Sequence, residues 1–256
     1  MRRVLLLAFS VVLAACASEP PQEVPVEQHL QGVYEDGSGN SLRYLVWLPE
    51  GYGDDREQEH PMIVFLHGSG SPTYDSQFVI SSGLPAVLAL GEQPEEFDFV
   101  VISPQANPGT TWLSEGNLEL VDLIIKDALD TYLVDESRVY LTGLSMGGYA
   151  AWHMATQYPH RFAAMSSMSG SGFQLPFTPP PEYSCPLAEV PIWGFHGEAD
   201  VIAQYRPVSL AVSDWVRVCG TEIKWTVYPD AGHFATYERA YRDPALYEWM
   251  LTHSKS

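Results

Sequence analysis

Five residues, Gly143-Leu144-Ser145-Met146-Gly147, constrain this chain more than any other stretch of it. They follow Arg138–Thr142 (RVYLT), a short run of β-formers, and they open Met146–Tyr158, which predicts a helix. A strand that bends into a helix over so few residues brings two pieces of backbone together, and a side chain at either flanking position would collide with one of them. The same bend lifts the serine oxygen clear of the sheet, and Gly148 leaves further room for close packing. Such a turn demands a strand before it and a covering helix after it, which places the chain among α/β architectures.

The remaining elements agree. Ser41–Leu48, Met62–Leu66, Phe97–Ser103, Phe162–Ser169, Val190–Phe195 and Glu222–Tyr228 read as strands, several of them uninterrupted apolar runs expected of strands buried on both faces. Leu118–Leu133 has helical apolar spacing, and Pro207–Val218 and Tyr237–Leu251 read as helices. The expected architecture is a mostly parallel central sheet with helices on both faces. The chain carries no internal repeat. Its proline-rich piece Leu175–Pro181 lies in the stretch between Ser169 and Val190, which reads as a short cap near the site.

A serine hydroxyl is a weak nucleophile until a base takes its proton. His233 follows the strand ending at Tyr228, and Asp200 follows the strand ending at Phe195, so both stand at carboxyl ends of strands, where open sheets of this kind build their sites. Glu198 and Asp230 are rival acids by proximity alone. Two backbone N–H groups must hold the oxyanion. Met146, directly after the serine, is one candidate, and His67-Gly68-Ser69-Gly70, after an early buried strand, offers the second, preferably at Ser69. Trp112 and His67 are candidate walls of the substrate pocket, as is Tyr74, whereas Trp152 reads as core. No metal-binding spacing, phosphate loop or dinucleotide fingerprint occurs, so neither a metal nor a cofactor is expected.

These residues resemble a known family. The segments FLHGSG (65–70), VDESRVYLTGLSMGGYAAWHMATQYPHRFAA (134–164), VPIWGFHGEAD (190–200) and YPDAGHFATYERAYRDPALYEWML (228–251) are similar to the secreted carboxylesterase-like branch of the α/β-hydrolases. That branch includes poly(3-hydroxybutyrate) depolymerase-like esterases, feruloyl esterases and predicted peptidases. The resemblance implies an α/β-hydrolase fold, a triad of Ser145, Asp200 and His233, and oxyanion donors at Met146 and Ser69. It departs from the family pattern twice: Ala203-Gln204 stands where many relatives have Val-Pro, and HGSG replaces the HGGG of the bulky-ester branch. Hydrolysis of small-molecule or polymeric carboxylic esters, with short or aromatic acyl groups, is the implied activity. A serine peptidase of the prolyl-oligopeptidase-like type and a catalytically dead, lipid-anchored binding protein are the alternatives.

Arg2 and Arg3 followed by the apolar run Val4–Leu13 form an export signal, and Leu13-Ala14-Ala15-Cys16 resembles the bacterial lipobox, in which the cysteine becomes the lipidated first residue. An ordinary secretory signal is the alternative. On the lipobox reading, residues 1–16 are the signal peptide with Cys16 lipidated, 17–30 a linker and 31–256 the folded domain, placed at the cell envelope of a bacterium and touching membrane only through its anchor. Loss of both arginines leaves 11 basic against 32 acidic residues, a formal charge of −21 that argues against nucleic-acid partners. The other two cysteines, Cys185 and Cys219, then invite a disulfide closing a loop of about 34 residues, worth roughly 3–4 kcal/mol; two buried thiols are the alternative.

Overall fold

A computed structural model describes residues 29–69, 75–170, 185–204, 212–214 and 216–255. The signal segment with Cys16, nearly all of the 17–30 linker, Gly70, Tyr74, the proline-rich piece 175–181 and residues 207–211 lie outside the described residues.

Eight strands form one sheet: β1 (Leu30–Glu35), β2 (Ser41–Trp47), β3 (His60–Leu66), β4 (Val100–Gln105), β5 (Val134–Leu144), β6 (Ala164–Met168), β7 (Ile192–Gly197) and β8 (Ile223–Tyr228). Their spatial order is β1-β2-β4-β3-β5-β6-β7-β8. Strand β2 pairs antiparallel with β1 and β4, and every later pairing is parallel. β3, β4, β6 and β7 are buried along their whole length. This is the continuous apolar pattern of strands covered on both faces.

Alternate residues of β3 divide the core in two. Met62, Val64 and Leu66 join a cluster with α3 (Asn117–Thr131) and α4 (Met146–Gln157), while Ile63 and Phe65 join one with α2 (Gly83–Ala89), α5 (His233–Ala240) and α6 (Pro244–Leu251). The period of two along the strand sorts side chains to opposite faces. A disulfide joins Cys185, in the short helical turn Cys185–Glu189, to Cys219 (S–S 2.04 Å). Among the described residues no helix is long and apolar enough to cross a membrane.

Several expected boundaries move for local reasons. The helix expected over 237–251 is two helices. Pro244 cannot donate an N–H to the preceding turn, and the Asp243 carboxylate accepts from the Ala245 N–H (3.0 Å) to start α6 afresh. Strand β4 begins at Val100, three residues later than expected, because Phe97 and Phe99 instead pack their rings against Tyr247. Two further helices, α1 (Ser76–Ile80) and α2, follow the β3 loop where no element was expected. Of the helix expected over 207–218, residues 212–214 and 216–218 are helical.

Candidate active site

Between β5 and α4 the chain turns within one residue, Ser145, at φ 51° and ψ −117°. The neighbouring glycines are required by contact. A Cβ on Gly147 would stand 1.9 Å from the Leu66 carbonyl oxygen, and one on Gly143 would stand 2.3 Å from the Gly147 oxygen. Both obstacles are backbone, so no side-chain rearrangement could make room. Strand β6 anchors the turn, since the Ser145 N–H donates to the Met168 carbonyl (2.9 Å).

The loops after β7 and β8 bring Asp200 and His233 to this serine. The His233 Nε2 lies 2.9 Å from Ser145 Oγ, and its Nδ1 lies 2.7 Å from Asp200 Oδ2. A proton on Nδ1, facing the carboxylate, leaves the Nε2 lone pair to accept from the serine hydroxyl. Asp200 is fully enclosed, and its Oδ1 accepts from the N–H groups of Ile202 (2.9 Å) and Ala203 (2.8 Å). His196 Nε2–H donates to the Ala203 carbonyl (2.6 Å) and closes the acid loop. The phenol of the nearby Tyr149 is pushed above its ordinary range, by burial first and by the Asp200 charge second.

The two rival acids stand elsewhere. Asp230 is exposed and engages Arg239 through both oxygens (2.8 and 2.9 Å); that bond holds its carboxyl below the usual range. Glu198 is exposed on the β7 loop.

Ser145 opens onto a cavity of about 310 Å³. Gly68 and Ser69 border one side of it; a Cβ on Gly68 would stand 2.7 Å from Leu144 Cδ1 and 3.6 Å from Ser145 Cβ, so a larger residue there would push the Leu144 side chain aside. Met146 is the first residue of α4, and its N–H is among those a helix start leaves without an intrahelical partner. The remaining wall is largely apolar: Leu144, Phe78, Ile202, Phe234 and Tyr237.

Trp112 and His67 do not border this cavity, and their expected place in the substrate pocket is corrected. Trp112 is wholly buried; its indole N–H donates to the His67 carbonyl (2.9 Å) and its ring packs 4.7 Å from the imidazole. His67 donates from Nδ1 to the Gly68 carbonyl (2.6 Å) and accepts at Nε2 from the Ala106 N–H (3.0 Å), with its pKa pushed down to about 4 by burial. The pair braces the glycine loop from behind. Sequence reasoning missed the apolar walls of the cavity, Ile202 and Phe234 among them, and no local signal marks them. Those two are large apolar residues, 63% and 61% exposed, two positions after the acid and directly after the base. Among the described residues no group of three or more His, Cys, Asp or Glu could hold a metal ion.

Comparison with known proteins places this geometry. The chain is 29% identical over 179 residues to a bifunctional acetylxylan esterase/xylanase, XynS20E, of Neocallimastix patriciarum, a match over 68% of this chain that spans only 23% of that longer protein. It is 25% identical to a feruloyl esterase B of Thermothelomyces thermophilus, over 85% of this chain and 81% of the relative. The crystal structure of a thermostable esterase superposes with a TM-score of 0.71 at 24% identity, covering 90% of this chain and 64% of the other, and shares the α/β-hydrolase fold. The model of the Esterase family matches residues 38–215, a span that takes in the serine turn, the glycine loop and Asp200. The chain belongs to the Esterase family.

Proposed function

We propose that this protein is a serine hydrolase that cleaves carboxylic esters through an acyl-enzyme. The unbroken relay from Asp200 through His233 to Ser145 carries this reading. His233 Nε2 takes the proton of Ser145 Oγ as that oxygen bonds to the ester carbonyl carbon. The carbonyl oxygen becomes an oxyanion, held by the N–H groups of Met146 and Ser69. Asp200 stabilises the imidazolium and keeps its orientation. The C–O bond then breaks, His233 gives its proton to the departing alcohol, and a water repeats the sequence to release the acid and free Ser145. His233 shuttles each proton, the second one from the water to Ser145 Oγ, so the cycle closes with ester and water alone as reactants.

The cavity supports small or flat acyl groups. Its volume of about 310 Å³ is at the small end of ligand sites, and Phe78, Leu144 and Phe234 offer apolar contact, replacing the role first given to Trp112. The relatives named acetylxylan esterase and feruloyl esterase fit that range, and polymeric as well as free esters remain within it. The strong negative charge makes nucleic acid an unfavourable partner. We read the protein as an exported bacterial lipoprotein, cut ahead of a lipidated Cys16, with the residues between Cys16 and β1 as the tether; Leu30, expected in the linker, belongs to β1. The disulfide supports export, since such bonds persist in oxidising compartments.

The test is direct. Ser145→Ala should leave the fold intact and reduce hydrolysis of p-nitrophenyl acetate below about 1% of wild type, with loss of fluorophosphonate labelling. Labelling retained by the variant would place the nucleophile elsewhere.

A further inference from the structure

Among the described residues two that are not glycine have positive φ, Ser145 and Ser169, each at 51°. The first is explained by the strand-to-helix turn. The second stands immediately past β6, wholly buried, in a conformation that glycine or asparagine adopts more readily than serine. Its two polar contacts show what that backbone accomplishes.

The Ser169 N–H donates to the Phe195 carbonyl (3.0 Å), which continues the ladder between β6 and β7. The hydroxyl turns the other way and donates to the backbone carbonyl of His233 (3.1 Å). The residues on either side of Ser169 hold the nucleophile. Met168 accepts the Ser145 N–H, and Gly170 lies so close that a Cβ there would stand 2.4 Å from the Ser145 carbonyl oxygen. The Gly170 carbonyl is in turn fixed by Trp152 Nε1 (3.1 Å) and Ser167 Oγ (3.0 Å). One tripeptide, 168–170, therefore grips the backbone of the nucleophile with its outer residues and the backbone of the base with its middle one.

We propose that Ser169 is a positioning residue for the general base: its left-handed backbone aims the hydroxyl at the His233 carbonyl and sets the distance between base and nucleophile. Asp200 orients the imidazole from the ring side, and Ser169 holds the same residue from the main-chain side. His233 is also placed by α5, by the carboxylate and by the turn ahead of it, where the Ala199 N–H donates to the Ala231 carbonyl (3.1 Å); Ser169 adds a hold whose chain neighbours contact the backbone of Ser145. This inference rests on the reading of Ser145 and His233 as the reacting pair.

Ser169→Gly removes the hydroxyl while relieving the strained φ, and Ser169→Ala removes the hydroxyl while keeping the strain. In the full chain, Ser169→Gly should keep its Tm within about two degrees of wild type yet lose about ten-fold in kcat for p-nitrophenyl acetate. KM should be unchanged, and the rate of fluorophosphonate labelling should fall in parallel. Ser169→Ala should show the same kcat loss with a lower Tm. A Ser169→Gly enzyme with kcat within two-fold of wild type, or activity losses that simply follow Tm across the two variants, would overturn the proposal. The two readings fail separately: a wild-type chain that is not labelled at Ser145 defeats the hydrolase reading, whereas wild-type labelling at Ser145 matched by Ser169→Gly defeats the positioning role alone.

Discussion

The serine turn and the acid–base loops meet at one point but are held there by different forces. At the turn, backbone is packed on backbone: the Gly147 position has the Leu66 carbonyl where a side chain would go, and Gly143 has Gly147 itself. Around Asp200 and His233 the position is set by directed polar contacts, two N–H groups on one carboxylate oxygen and an imidazole on the other. Repulsion between filled volumes tolerates no substitution. A hydrogen-bonded loop keeps its shape when an isosteric group replaces one partner. The first region is thus a condition for folding and the second a condition for chemistry, and mutations should separate them.

Gly147→Ala tests the first side and should have the largest effect. The added methyl cannot fit without moving β3 or α4, and loss of several kcal/mol of stability is expected, enough to abolish soluble expression or lower Tm by more than about ten degrees. A soluble Gly147→Ala protein with wild-type Tm would remove the distinction at its root. Asp200→Asn tests the second side. The amide oxygen can still accept from Ile202 and Ala203, so the fold should persist, but the NH₂ group facing His233 favours the wrong tautomer. We expect kcat to fall by about 10³–10⁴ with Tm nearly unchanged, read by ester kinetics and calorimetry. Unfolding of this variant would show that the acid loop is as structural as the turn. The smallest effect belongs to Asp230→Asn, which loosens an exposed pair with Arg239; activity should stay within about two-fold and Tm nearly unchanged. A loss comparable to that of Asp200→Asn would reassign the acid.

The same contrast explains what could be read from the sequence. The turn was legible because the residue pattern it needs is itself local, although one of its constraints, the Leu66 carbonyl against Gly147, comes from a distant strand. His233 was legible by its order after the last strand. Asp200 was preferred to Glu198 and Asp230 by its place after a strand and by the family pattern, not by burial or by what faces each carboxylate, which adjacency does not encode. Trp112 shows the limit more sharply. An aromatic residue on a loop can face a cleft or brace the back of it, and here the indole N–H found its acceptor on the core side, at His67. Ile202 and Phe234 were overlooked for the converse reason: nothing local in the sequence marks an apolar side chain that is left uncovered. The break before α6 was written plainly in Asp243-Pro244, where helical periodicity on both sides concealed it.

The disulfide between Cys185 and Cys219 has a consequence for resistance to proteolysis. It ties the chain just ahead of β7 to the chain just ahead of β8, so that β7, His196 and Asp200 all lie within one covalent ring of the polypeptide. A protease that cuts once anywhere between the two cysteines opens the ring and releases nothing. The severed ends stay attached through sulfur. Two cuts are needed to excise a piece, and a nicked molecule would migrate at full size until a reductant parts it.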